Sequence, residues 1–159
     1  MLTLMDEYTR QCHCIWASWS IRAVDVIEQL AQAMVRHGEP QHLRSDNGPE
    51  FIAYAVQDWL KDKNIKTIYI NPGSPWENPY IESFHDKLRD ELLNRELFVN
   101  LAETRVVTKQ WRMEYNQDRP HSSLGYDTPN EFAAALPPSG GTGIINIKNQ
   151  AGLTLQSVH

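Results

Sequence analysis

Apolar residues along this chain follow two periods, and the switches between them divide it into elements. Leu2 to Met5 and Cys12 to Trp19 are apolar runs rich in β-branched, aromatic and cysteine residues. The link Asp6-Glu7-Tyr8-Thr9-Arg10 joins them, so they read as neighbouring antiparallel strands. From Ile21 to His37 the apolar positions Ile21, Val24, Ile27, Leu30, Ala31, Met34 and Val35 fall three or four apart. That spacing predicts an amphipathic helix, with Ser20 as its N-cap and Gly38 and Pro40 as its stop. Gln41 to Ser45 follows as a short strand ending at Asp46. Asn47-Gly48 supplies a turn, and Pro49 suits the start of a helix that buries Phe51, Ala55, Val56, Trp59 and Leu60. Ile65 to Ile70 reads as another strand. Strand, strand, helix, strand, helix, strand predicts an α/β sheet with helices on its faces.

Asn71 to Asn78 is a Pro-, Gly- and Asn-rich loop of the kind that carries function. Asn78 as N-cap and Pro79 as first residue open a further helix. On it Ile81, Phe84, Leu88 and Leu92 make a core-facing stripe, while Glu82 and Arg89 lie within about 20° of each other on another side. A helix over Ala102 to Asn116 carries Arg105, Lys109 and Arg112, a turn-rich segment runs from Tyr115 to Tyr126, and Pro129 to Leu136 forms a last short helix. The Pro-Pro-Ser-Gly-Gly run from Pro137 marks a linker, and Ile144 to Val158 reads as flexible or a small hairpin. Residues 1–136 are thus expected as one domain and 137–159 as linker and tail. A chain of 159 residues suits one domain that buries roughly 70% of its unfolded surface.

Composition changes this picture little. With 41% hydrophobic and 22% charged residues the chain resembles ordinary globular proteins, and no apolar run has the length of a membrane span. Met1 to Met5 is too short for a signal peptide, which predicts a cytoplasmic protein. Cys12 and Cys14 flank His13, but no second Cys/His pair follows, so they read as reduced strand cysteines rather than zinc ligands. The net charge of −5 argues against a nucleic-acid partner only globally. Residues 1–60 hold 4 basic and 8 acidic side chains, whereas 61–159 hold 11 and 12.

Two acids stand out, Asp46 at a strand end and Glu82 at a helix start, with 35 residues between them. Hydrolysing or transferring a phosphodiester requires an activated oxygen, a stabilised leaving oxygen and neutralised charge at phosphorus. Two metal ions about 3.5 to 4 Å apart do all three, and Mg²⁺ prefers carboxylate ligands. Spacing alone is weak evidence, because an exposed turn Asp and a solvated helix Glu are the commoner case.

The neighbours of this pair are more specific. Arg44-Ser-Asp-Asn-Gly-Pro-Glu-Phe51, Gly73-Ser-Pro-Trp-Glu-Asn78, Tyr80-Ile-Glu-Ser-Phe84, Lys87-Leu-Arg-Asp-Glu-Leu-Leu-Asn94 and Tyr115-Asn-Gln-Asp-Arg-Pro-His-Ser-Ser-Leu-Gly-Tyr126 together resemble the catalytic core of bacterial insertion-sequence transposases, which are similar to retroviral-type integrases. The resemblance covers about Leu2 to Leu136. It implies an RNase H-like mixed sheet flanked by helices and an Asp, Asp, Glu triad holding two Mg²⁺ or Mn²⁺ ions. Asp46 matches the second acid, Glu82 the final one, and Arg89 the basic residue that faces DNA. Lys87, Arg119 and His121 lie in the same motifs and are expected at DNA, the alternatives being a solvated helix face for Lys87 and organisation of the turn for Arg119 and His121. The implied function is metal-dependent cleavage and strand transfer in DNA transposition, with transposon ends and target DNA as partners, a homo-oligomeric assembly and no membrane.

The departures matter as well. The family's first Asp lies on a central strand upstream of the one that Leu2 to Met5 resembles, so the sheet is expected to lack that strand and the chain to be inactive alone. Asp6 matches a turn position and is expected to have a structural or surface role. Pro79 stands where the family more often has a small residue. A rival reading is a non-catalytic remnant that only binds DNA or oligomerises, and another is an RNase H-like nuclease without strand transfer. Trp76 reads equally as a loop anchor or a base-stacking residue.

Overall fold

The computed structural model describes residues 1–137 and 143–150. Strand β1 (Leu2–Asp6) pairs antiparallel with β2 (Cys12–Trp16). The turn between them is organised by Asp6, whose Oδ1 accepts hydrogen bonds from the backbone of Tyr8 and Thr9 and from the Thr9 hydroxyl. Of the structural or surface role expected for Asp6, the geometry shows the structural one, since the residue is fully buried.

Helix α1 (Ala23–His37) starts after the expected Ser20 cap, where the Arg22 backbone N–H donates to the Asp25 carboxylate at 2.8 Å. Gly38 ends it with φ +88°, a conformation open to glycine. Strand β3 (His42–Ser45) leads into the segment expected as one helix. That segment is two helices, α2 (Pro49–Ile52) and α3 (Tyr54–Asp62), because Ala53 takes an extended ψ of 135°. Phe51, Val56 and Leu60 are buried as expected, whereas the break turns Ala55 to solvent. Strand β4 (Lys66–Tyr69) then pairs parallel with β3. Past the loop come α4 (Pro79–Leu88), a wide π-type turn over Arg89–Leu93, α5 (Leu101–Gln117) and α6 (Pro129–Ala134).

The departure with most consequence is in the sheet's middle. Residues 144–149, expected in the tail, form β5 (Ile144–Asn149) in a five-stranded sheet of order β2-β1-β5-β3-β4. The place expected to lack a strand is therefore filled from the far end of the chain. β5 runs antiparallel to β1, with Thr3 opposite Lys148, and parallel to β3, with Arg44 opposite Asn146. The physical reason is backbone satisfaction: without β5, β1 and β3 would each present an unpaired edge inside the domain. The linker residues 138–142 and the remainder of the tail, 151–159, lie outside the described residues.

The sheet buries both faces. Leu2, Leu4, Leu43, Ile145 and Ile147 meet Val26, Leu30, Phe51, Val56 and Leu60 of α1 to α3 on one side. On the other, Met5 and Cys12 meet Ile81, Phe84, Leu88, Leu92, Trp111 and Tyr115. Ile81, Phe84, Leu88 and Leu92 are thus the core stripe that their spacing predicts. Cys12 and Cys14 are free thiols, as expected.

Candidate active-site cleft

On its α4 side the middle of the sheet is polar, and each polar side chain there has a partner. Arg44 donates to Glu7 Oε2 at 2.8 Å, and the Asn146 amide reaches the same oxygen at 3.4 Å. Thr3 Oγ1 and His85 Nε2 lie 2.6 Å apart. Lys148 donates to Glu82 Oε1. Alternation along β5 explains the pattern, since Ile145 and Ile147 point to the α1–α3 core while Asn146 and Lys148 point to α4.

Asp46 follows β3, and Glu82 sits in the first turn of α4, where the helix dipole favours a carboxylate. The fold brings both to one cleft of about 470 Å³, together with the 70–75 loop, Asn78, Ile147 and Lys148. Asp46 Oδ1 accepts the Gly48 N–H at 2.8 Å. A Cβ at Gly48 would lie 3.0 Å from that oxygen and 3.1 Å from both Glu50 carboxylate oxygens, so glycine lets the turn close against the acids. Asn78 is 1% exposed and its Oδ1 has no partner among the described residues.

The residues expected at DNA differ in how firmly they are held. Lys87 is half-buried and Arg89 exposed, the latter in a surface pair with Asp86 at 3.1 Å that contributes little. Arg89 lies about 10 Å along the helix from Glu82. Arg119 and His121 are held at the end of α5, near enough to Lys87 for its positive charge to act on His121. The Arg119 guanidinium grips both oxygens of Glu91, one at 2.6 Å, and sits 5.8 Å from the Trp111 and Tyr115 rings. His121 is buried edge-on to Tyr115 at 4.9 Å, and burial lowers its pKa to about 4. Arg105 and Arg112 donate to the carbonyls of Ala17 and Cys12. Trp76 is 71% exposed in a single 3₁₀ turn beside the cleft, which removes the loop-anchor reading.

Sequence reasoning missed Lys148, Thr3 and His85. Only the β-branched alternation Ile144-Ile145-Asn146-Ile147-Lys148 signalled a strand, and nothing in it located its neighbours.

Two family models describing the integrase core domain match, one over residues 1–75 and one over 63–129. The chain belongs to the integrase core family. An insertion element IS476 protein of Xanthomonas euvesicatoria is 45% identical over 133 residues, covering 84% of this chain and 38% of that protein. An insertion element IS407 protein of Burkholderia multivorans is 41% identical over 133 residues, covering 84% and 48%. The chain thus spans less than half the length of these relatives. The transposase for IS904 of Lactococcus lactis is 31% identical over 57% of this chain and 36% of its own. Among solved structures, the catalytic core domain of BIV integrase superposes with a TM-score of 0.63 at 21% identity, covering 82% of each chain. The HTLV-2 integrase catalytic core, solved in complex with magnesium, gives 0.59 at 18% identity, covering 85% and 84%. The mixed sheet of this integrase core is RNase H-like, as the resemblance of its motifs implies.

The donor set in the cleft is two carboxylates and a buried amide oxygen, and no group of three His, Cys, Asp or Glu side chains able to hold a metal ion occurs among the described residues. With Lys148 on Glu82, the arrangement does not fit a divalent ion. No helix of the described residues is long and apolar enough to cross a membrane.

Proposed function

We propose that this chain is the core of an insertion-sequence transposase that works on DNA at the Asp46–Glu82 cleft. The observation that carries the reading is that two acids with 35 residues between them in sequence line one cleft. The 71–78 loop and the exposed Trp76 border it. Asp46 and Glu82 are the ligands a divalent cation would use in a completed site. Lys87 and Arg89 supply positive charge for phosphates further along α4, with Arg119 and His121 held at the end of α5 by Glu91 and Tyr115. The protein acts as a homo-oligomer in the cytoplasm.

One observation favours a second reading, a module that binds DNA without cutting it: Lys148 already neutralises Glu82. Both readings predict that the purified chain shows no efficient Mg²⁺-dependent nicking of duplex DNA. The test is a cleavage and strand-transfer assay on duplexes carrying the ends of the encoding element, with wild type and Glu82→Gln. Robust nicking abolished by Glu82→Gln overturns the expected inactivity and the non-cutting module. Nicking without joining overturns the transposase in favour of a nuclease.

A further inference from the structure

We propose that Lys148 is the cleft's built-in cation, so that the Asp46–Glu82 pair takes a divalent metal only when the Lys148 ammonium is removed from it. The inference rests on the reading of Asp46 and Glu82 as metal ligands.

Three features carry it. First, Lys148 is placed by strand register and not by chance of a surface rotamer. It sits opposite Thr3 on the central strand, and the Thr3 hydroxyl donates to the Lys148 carbonyl at 3.3 Å. Second, the ion pair is shielded. The Lys148 and Glu82 side chains are 26% and 28% exposed, where water screens a charge pair less than on an open rim. Third, the cleft holds oxygen ligation beyond the acids, since the Asn78 Oδ1, buried and without a partner among the described residues, lines it.

An ammonium and a divalent ion both seek carboxylate oxygens, and each repels the other. While Lys148 holds Glu82, a metal would have to displace a hydrogen bond and accept a neighbouring positive charge. Replacing Lys148 by a carboxylate reverses both terms and gives the cleft a third acid. Lys148→Gln removes the charge while keeping a polar chain of similar length, and Lys148→Arg keeps the charge.

The experiment is Mn²⁺ binding by electron paramagnetic resonance or calorimetry for wild type, Lys148→Arg, Lys148→Gln, Lys148→Glu and Lys148→Glu/Glu82→Gln, each first checked for native circular dichroism. Expected is tightening on the order of tenfold or more from wild type to Lys148→Glu. Lys148→Gln should fall between, Lys148→Arg should match wild type, and the double variant should lose the gain. Should Lys148→Glu fail to fold, the wild type against Lys148→Gln comparison decides. Wild type binding Mn²⁺ as tightly as Lys148→Gln and Lys148→Glu, with loss in Lys148→Glu/Glu82→Gln, overturns the role of Lys148 but leaves the metal-ligand reading standing. Absence of Mn²⁺ binding in every variant overturns both.

Discussion

Thr3 Oγ1 on the sheet and His85 Nε2 on α4 stand 2.6 Å apart in the buried seam under the cleft, and this bond ties the helix carrying Glu82 to the strand beside Lys148. Burial lowers the pKa of His85 to about 3, and that of His13, stacked on His37 at 3.8 Å, also to about 3. Both imidazoles are neutral in the fold, whereas an unfolded histidine titrates near 6.5. Below about pH 6.5 the unfolded chain therefore takes up protons that the folded one refuses. Their stability contribution is complete above that pH and is lost as pH falls from about 6.5 toward 3. Each adds a slope of up to about 1.4 kcal/mol per pH unit. Urea unfolding at several pH values should show this, and Thr3→Val/His85→Leu should flatten it by about one proton.

Arg119 and Arg89 should behave oppositely on substitution. Arg119→Ala leaves Glu91 with only the Trp111 indole N–H as donor, at 3.2 Å, and is expected to cost about 1–3 kcal/mol of stability. The Glu91 carboxyl is held below its usual range by the Arg119 hydrogen bonds, so that contribution is present near neutral pH and lost as pH falls through the folded value. Arg89→Ala should change stability by less than about 0.5 kcal/mol. Thermal melts with DNA titrations separate the two, and equal loss of stability in both would contradict the assignment.

Phe84 fixes the other side of α4. It is 1% exposed and packs edge-on to Tyr115 at 5.0 Å and to Trp111 at 5.5 Å. Phe84→Ala should cost about 3–5 kcal/mol, lower Tm by roughly 10 °C and collapse the near-ultraviolet aromatic dichroism.

Trp76 stands free of the core, so Trp76→Ala should leave stability within about 0.5 kcal/mol. If bases stack on it, the substitution costs about 1–3 kcal/mol in binding single-stranded DNA. Tryptophan fluorescence quenching by an oligonucleotide, lost in the variant, is the readout.

The legible part of this molecule was what local pattern encodes. The stripe of Ile81, Phe84, Leu88 and Leu92 and the turn at Asn47-Gly48 were readable because periodicity and turn chemistry are local properties. The family motifs named Asp46 and Glu82, and the fold places both in one cleft. Illegible were the pairings made across the sheet. β5 joins β1 over more than 140 residues of sequence, as between Thr3 and Lys148, and no local signal says which edge a strand fills. The motif leaves Arg119 and His121 between DNA contact and organisation of the turn, and their partners, Glu91 and Tyr115, are visible only once α5 packs on the π-type turn. The α2–α3 break at Ala53 went unforeseen because no Gly or Pro marks it.

The most direct test of the account is fluorescence anisotropy of a labelled DNA duplex titrated with the purified protein at low and moderate salt. Three proteins are compared: wild type, Lys87→Glu/Arg89→Glu on the Glu82 helix, and Lys61→Glu/Lys63→Glu at the far end of α3. If DNA lies along α4 beside the cleft, the first pair weakens binding about tenfold or more and flattens the salt dependence by nearly two ions. The second pair then leaves both unchanged. Equal weakening by both pairs, or no DNA binding by wild type at low salt, would contradict it.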